Sequence, residues 1–332
     1  MRKLATIRTV HETRAIEGAD LIELALVDGW KCVTKKGEFA VGDAVIYCEI
    51  DSFLPVQDEF EFLRKSSLKV MDGREGFRLR TVKLRGQISQ GLLLNPVFLG
   101  RRVAIGEDVT EELGIVKYEP PIPACLGGEV IGGFPAFIAK TDEERIQNLA
   151  DEFDSYRGKA FYVSEKLDGT SFTAFVHEGS FGVCGRNWQL AENASNSQWR
   201  VARELNLRAR METFGRSLAI QGELVGPGIQ KNRYGLKTPT VFVFNVFDIS
   251  ASAYVEKTEM ETICEKLDLP IAPPLGEIIV PEDIDAILAL AEGKSALNPA
   301  TEREGLVWVR RSGDDRVSFK TISNRFLAKY EE

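Results

Sequence analysis

Glu165-Lys166-Leu167-Asp168-Gly169 sets one lysine, an acid two residues later and a glycine directly after the apolar run Phe161-Tyr162-Val163. A lysine so placed, once neutral, can attack the α-phosphate of a nucleoside triphosphate, giving a lysyl-phosphoramidate and pyrophosphate. K-x-D-G by itself is a weak signal that also fits a charged strand-to-turn segment. Further segments of the same half supply what the chemistry needs. Arg186, closing Val183-Cys184-Gly185-Arg186-Asn187, offers a fork of donors for a ribose or a phosphate. Glu223, in Gln221-Gly222-Glu223-Leu224-Val225-Gly226-Pro227-Gly228-Ile229-Gln230, is a lone carboxylate beside a Gly/Pro turn, suited to a ribose diol or to metal-held water. The run Val241–Ile249 carries aromatic rings on which a base can stack, and period two sets Phe242, Phe244 and Asp248 on one face and Phe247 on the other. Glu304, just before Gly305-Leu306-Val307-Trp308, can face a metal, and Lys320, ending Val317-Ser318-Phe319-Lys320, can neutralise the α-phosphate.

Other chemistries are thinly supplied. His11 and His177 are the only histidines, and neither sits beside a plausible Ser or Cys nucleophile. Cys32, Cys48, Cys125, Cys184 and Cys264 are odd in number and scattered, which reads as reduced thiols rather than a disulfide frame or zinc knuckle. Neither a signal peptide nor a membrane-spanning run is read in the chain, so the expected setting is cytoplasmic, with no membrane partner. The net charge of −8 argues against a general nucleic-acid coat, but residues 61–102 hold ten Lys/Arg against three acids. That local excess marks a polyanion site of limited extent, or an edge strand guarded by lysines.

The elements that must position these groups fall into two modules, as 332 residues lead one to expect. Residues 1–115 read as all-β: short apolar runs at Leu21–Val27, Ala44–Glu49, Phe77–Val82 and Gly91–Leu94 alternate with Gly/Asp turns, which suggests a small OB-like β-barrel. Arg78, Arg80, Lys83 and Arg85 alternate with apolar residues and are expected to share a nucleic-acid-binding face. A Pro/Gly-rich connector spans residues 116–139. The second module, residues 140–332, should open with a helix from Lys140 to Ile146 capped by Thr141. Strands are expected at Phe161–Val163, Ser171–His177, Phe181–Cys184, Ile220–Val225, Val241–Ile249, Gly305–Arg310 and Arg316–Thr321, and helices at Asn196–Phe214, Lys257–Leu267 and Ile284–Ala291.

Taken in order, E-K-x-D-G-T, G-E-L-x-G-P-G-I-Q, the F-D-I strand end, E-G-x-V and the final F-K resemble the covalent nucleotidyltransferases: ATP-dependent RNA ligases, DNA ligases and mRNA capping enzymes. Among these the set is most similar to the nick-sealing RNA ligases that carry an N-terminal OB domain. The resemblance covers about residues 135–330 and implies an α+β chain: an OB-like β-barrel followed by a nucleotidyltransferase (adenylation) domain of antiparallel sheets and helices. It implies ATP and Mg²⁺ or Mn²⁺, and as partner an RNA or RNA-containing duplex broken into a 5′-phosphate and a 3′-OH, with no protein partner foreseen. By the same resemblance Lys166 is the adenylated lysine, Glu165 lies near the adenine edge, and Arg186, Arg145 and Lys320 hold phosphate or ribose. Glu223 accepts from the ribose, Phe247 stacks on the base, and Asp168, Glu304 and Asp248 serve the metal through its waters. The chain departs from its relatives at Ile322, where a second lysine is often found, and at Ser171, where some have asparagine. A GTP-using capping enzyme and a non-catalytic RNA-binding module are the rival readings.

Overall fold

The computed structural model describes residues 3–119, 130–193, 196–312 and 315–330. Cys125 and the Pro120-Pro121-Ile122-Pro123 part of the connector lie outside them.

The N-terminal strands all pair antiparallel. Ala5–Thr9, Ala44–Cys48 and Leu92–Leu94 form one sheet, and Glu12–Ala15, Ile22–Val27 and Trp30–Lys35 form a meander. A third sheet takes Ser52–Pro55, Leu68–Met71, Arg74–Arg78 and, at its edge, Val116–Lys117. Alternation does the work here: in Trp30–Lys35 the residues Trp30, Cys32 and Thr34 point inward and the lysines stay out. Ile7, Ile46, Leu54, Phe60 and Phe77 are fully buried between the sheets, and Trp30 stacks on Tyr47 at 5.6 Å.

The C-terminal half folds as two facing antiparallel sheets with helices on their outer sides. Seven strands run in the order Val130–Gly133, Trp188–Leu190, Ser180–Cys184, Thr170–His177, Leu218–Val225, Thr240–Asp248 and Ala253–Tyr254. Helices Ser197–Glu204, Leu207–Glu212 and Lys257–Leu267 cover it through Trp199, Met211, Ile263 and Leu267. The second sheet orders Glu144–Arg145, Asp315–Ile322, Gly305–Ser312, Ala160–Lys166 and Pro274–Ile279, covered by helix Ile284–Leu290 and the 3₁₀ turns of Ile146–Ser155. Its one parallel pair sets Arg145 beside Lys320.

Two expectations are corrected. No helix forms over Lys140–Ile146: residues 139–143 run without regular structure, Glu144–Arg145 add a short strand, and helical turns begin only at Ile146. The pattern Asn196–Phe214 is two helices, broken where Asn206 takes a left-handed φ of 48°. Among the described residues no helix is long and apolar enough to cross a membrane.

Candidate active site

Ala160–Lys166 alternates strictly, with Phe161, Val163 and Glu165 buried and Tyr162, Ser164 and Lys166 partly open toward the cleft between the sheets. Leu167-Asp168-Gly169 then crosses to the first residue of Thr170–His177 in the other sheet. Gly169 is required there, because a Cβ would run into Leu224 O. The lysine is thereby held at the seam of the two sheets. Across it, Gly305 packs so closely on Thr321 O that no Cβ fits, which fixes Glu304 opposite Lys166.

Lys166 Nζ donates to Glu304 Oε1 at 2.6 Å. Burial disfavours the ammonium, but Glu304, Glu223 and Asp168 outweigh it and hold the lysine pKa above its ordinary value. Glu304 is itself pushed up by burial, against the pull of Lys166, and its Oε2 is buried with no hydrogen-bond partner. Glu223 Oε1 accepts from Gly169 N at 3.1 Å, and burial pushes its carboxyl up to about 7. Asp168 takes Arg233 Nε as its partner, while its own N–H donates to Tyr234 Oη at 2.6 Å. Lys320, desolvated and repelled by Lys166, is lowered to about 8.

Of these groups Lys166, Glu223 and Lys320 line a cavity of about 290 Å³, together with Phe244 and Arg186. A neighbouring recess of about 470 Å³ shares Tyr162, Phe244, Asn245 and Val309 with it. The cavity wall thus combines an aromatic ring, a carboxylate and a lysine with the cations Arg186, Arg316 and Lys320. Among the described residues no three metal-ligating side chains converge closely enough to hold an ion directly. The residues nonetheless suit a hydrated divalent cation, since the unpartnered Glu304 Oε2 is an acceptor waiting for a water-borne donor.

Several sequence expectations change on contact with this geometry. Phe247, expected to stack on the base, does not line the cavity: it is buried with Ile138, Phe175 and Ile249 and meets Tyr254 edge-on at 5.1 Å. A bulge pairs Gln221 with Asn245 but Gly222 with Val243, leaving Phe244 as the extra residue, and Phe244 lines the cavity. Asp248 does not line the cavity, and Arg216 Nη1 donates to it at 2.9 Å and Ala251 N at 3.0 Å. Glu165, a residue 2% exposed, stays in the cavity wall: Oε2 accepts from Ala296 N at 2.8 Å, and Oε1 has no hydrogen-bond partner. Arg145 sits beside Lys320 on the neighbouring strand but does not line the cavity, its guanidinium 5.6 Å from the Trp30 ring of the N-terminal module.

The basic face of residues 78–85 does not form as one strand. Arg74–Arg78 ends there, and Thr81–Leu84 begins a separate hairpin that turns at Arg85-Gly86, both with positive φ. Arg78 is held by Asp51 at 2.8 Å and lies over Tyr118, and Lys83 Nζ donates to Ala328 O at 2.8 Å. Arg80 and Arg85 remain exposed.

Four residues that sequence reasoning missed belong to the site. Asp142 and Glu143 bring carboxylates to the cavity wall, Arg316 adds a cation, and Asn245 lines the cleft beside Phe244. Arg316 was within reach of the period-two rule, which places it on the same face as Lys320 four residues later.

Comparison with known proteins agrees in both halves. An OB-fold domain family model matches residues 4–97, and the RNA ligase family model matches residues 159–330. A Naegleria gruberi RNA ligase with PPi is 43% identical, with a TM-score of 0.82, covering 100% of this chain and 99% of that one. A lysine-to-alanine mutant of that ligase with ATP and Mn is 42% identical, with a TM-score of 0.83 and 99% of each chain covered. A lysine-to-methionine mutant with AMP and Mn is 43% identical at the same TM-score of 0.83, again covering 99% of each. No curated protein matches.

Proposed function

Because the chain belongs to the RNA ligase family, we propose that it is an ATP-dependent ligase that rejoins a 3′-OH and a 5′-phosphate at breaks in RNA, nicks in duplex foremost, in RNA repair. The observation that carries the reading is Lys166 Nζ, 2.6 Å from Glu304 and bordering a cavity with Phe244 at one side and Lys320 at another. The base stacks on Phe244, the ribose hydroxyls donate to Glu223, and the phosphates meet Arg186 and Lys320. Lys166 Nζ bonds to the α-phosphorus as the bond to the β-phosphate oxygen breaks and pyrophosphate departs. A 5′-phosphate oxygen of the RNA then takes the AMP and frees Lys166, and the 3′-OH attacks that 5′-phosphate to expel AMP.

Before the first step Lys166 must lose a proton, and Glu304 Oε1 is the nearest base, with a pKa that burial has raised toward the task. Mg²⁺ or Mn²⁺, when bound, supplies positive charge beside the α-phosphate; the Glu304 carboxylate and Asp168 would hold its waters. The exposed basic residues of the N-terminal module, Arg80 and Arg85 among them, hold the RNA strands. A cytoplasmic setting belongs to the same proposal, because the four described cysteines are buried free thiols.

The test is incubation of wild type and Lys166→Ala with ATP or GTP labelled at the α-phosphate, followed by denaturing electrophoresis. Label retained from ATP by wild type alone is expected. A preference for GTP would move the reading to capping, and label retained by Lys166→Ala would dismiss Lys166 as the nucleophile.

A further inference from the structure

The cations that would meet a nucleotide's phosphates already have partners within the protein, and the partners come from one short segment. Residues 139–143 run without regular structure. Upstream, Ala139 O accepts from Gln221 Nε2 at 2.8 Å, and downstream Glu144 pairs with Phe319. Between these anchors Asp142 Oδ1 accepts from Arg186 Nη2 at 2.9 Å and lies 3.8 Å from Lys320 Nζ, while its Oδ2 accepts from Lys117 Nζ at 3.3 Å. Glu143 follows at once and meets Arg316 Nη2 at 3.3 Å. Two consecutive carboxylates thus engage Arg186, Lys320 and Arg316, all three in the cavity wall.

We propose that Asp142, with Glu143 beside it, is an internal stand-in for the β- and γ-phosphates, and that it must leave Arg186 and Lys320 before a polyphosphate tail can bind. The inference rests on reading the cavity as the ATP site. With the α-phosphorus at Lys166, the rest of the tail has to lie along the remaining cations, and those cations cannot satisfy a carboxylate and a phosphate oxygen in the same place. Displacement is feasible: the Asp142 side chain keeps 32% of its exposure, so water can replace its partners, and no ladder hydrogen bond is broken when it moves. The contacts are real ones for the carboxylate: burial alone would raise its pKa, yet Arg186, Lys320 and Lys117 hold it at about 2. The device makes affinity for pyrophosphate-bearing ligands a difference between two ion-pair sets, and gives AMP, which carries no tail, the smaller share in that competition.

Calorimetry with inorganic pyrophosphate alone, on the full chain, tests this without turnover. Asp142→Asn keeps the shape and removes the charge, and should tighten pyrophosphate by roughly two- to fivefold, the range for removing a partly exposed ion pair from competition. AMP, which offers Lys320 a single phosphate, should gain less than pyrophosphate from Asp142→Asn. Glu143→Gln should shift pyrophosphate in the same direction, and it carries the test if Asp142→Asn melts early. Equal or weaker pyrophosphate binding in both variants would overturn the proposal and make Asp142 a residue that orients Arg186 and Lys320. Since the readout is binding, this inference can fail while lysine adenylation stands, and it can hold even if no adenylate forms.

Discussion

At the scale of the residue, the site sets two lysines to opposite protonation tasks. Lys166 must be neutral to attack, but three carboxylates keep it charged above its ordinary range; Lys320 must be charged to hold phosphate, but burial and Lys166 lower it to about 8. The signs then fix a pH profile. Below its pKa the neutral fraction of Lys166 grows about tenfold per pH unit, so kcat/KM for ATP in lysine adenylation climbs through neutrality. Above about pH 8, Lys320 in the ATP-unbound enzyme loses its proton, and kcat/KM should fall about tenfold below the extrapolated climb at one unit higher. Lys320→Arg carries a charge that does not titrate in this range, so its profile should keep rising. A rollover unchanged in Lys320→Arg would remove Lys320 from the phosphate contacts.

At the scale of the element, the C-terminal helix Asn324–Tyr330 is a brace for the catalytic segment. Arg233 pairs with Asp168 and is sandwiched against the rings of Tyr330 at 4.5 Å and Phe326 at 5.6 Å. Arg233→Ala should cost about 1.5–3 kcal/mol in urea unfolding, because it strands a largely buried carboxylate. Tyr330→Ala removes only the ring and should cost ~0.5–1 kcal/mol. The double variant should cost less than the sum, since both act through one guanidinium; strict additivity would refute the brace. This coupling was not legible in the chain, where Arg233 and Asp168 lie far apart and neither has a local signal. What was legible follows local rules: the strand that carries Lys166 alternates with period two, those that carry Glu223 and Lys320 form where strand-like runs lie, Glu304 directly precedes another such run, and Lys257–Leu267 forms where its helical pattern lies. Local rules failed where tertiary contacts took the same residues. The acids from 142 to 144 look like a helix's first turn, but Arg186 and Arg316 hold Asp142 and Glu143 in a segment without regular structure. The bulge that turns Phe244 into the cleft has no mark in the run Val243–Ile249, so the place before Asp248 pointed to the wrong ring.

At the scale of the whole molecule, the two modules are joined rather than strung together. Arg8 grips Asp151 through Nη1 at 2.6 Å and Nη2 at 3.2 Å, Trp30 lies beneath Arg145, and a Cβ on Gly29 would press into Ile284. Lys83 of the first module and Lys117, a connector residue paired with Ser52 of that module, are likewise committed across this junction to Ala328 O and Asp142. The local excess of positive charge between residues 61 and 102 is therefore partly structural. What remains for a polyanion is the exposed subset, such as Lys65, Lys69, Arg80 and Arg85. Neutralising Arg80 and Arg85 to glutamine tests whether that subset tracks a phosphate backbone. For every phosphate that thereby goes without its cation, the slope of log K against log salt should become shallower by about 0.9 on a duplex with a nick, and binding should weaken on all sequences alike. Lysine adenylation should stay at the wild-type rate, because neither side chain lines the cleft. An unchanged salt slope would place the RNA on another face of the molecule, and a loss of adenylation together with binding would show that the two arginines support the fold that joins the modules.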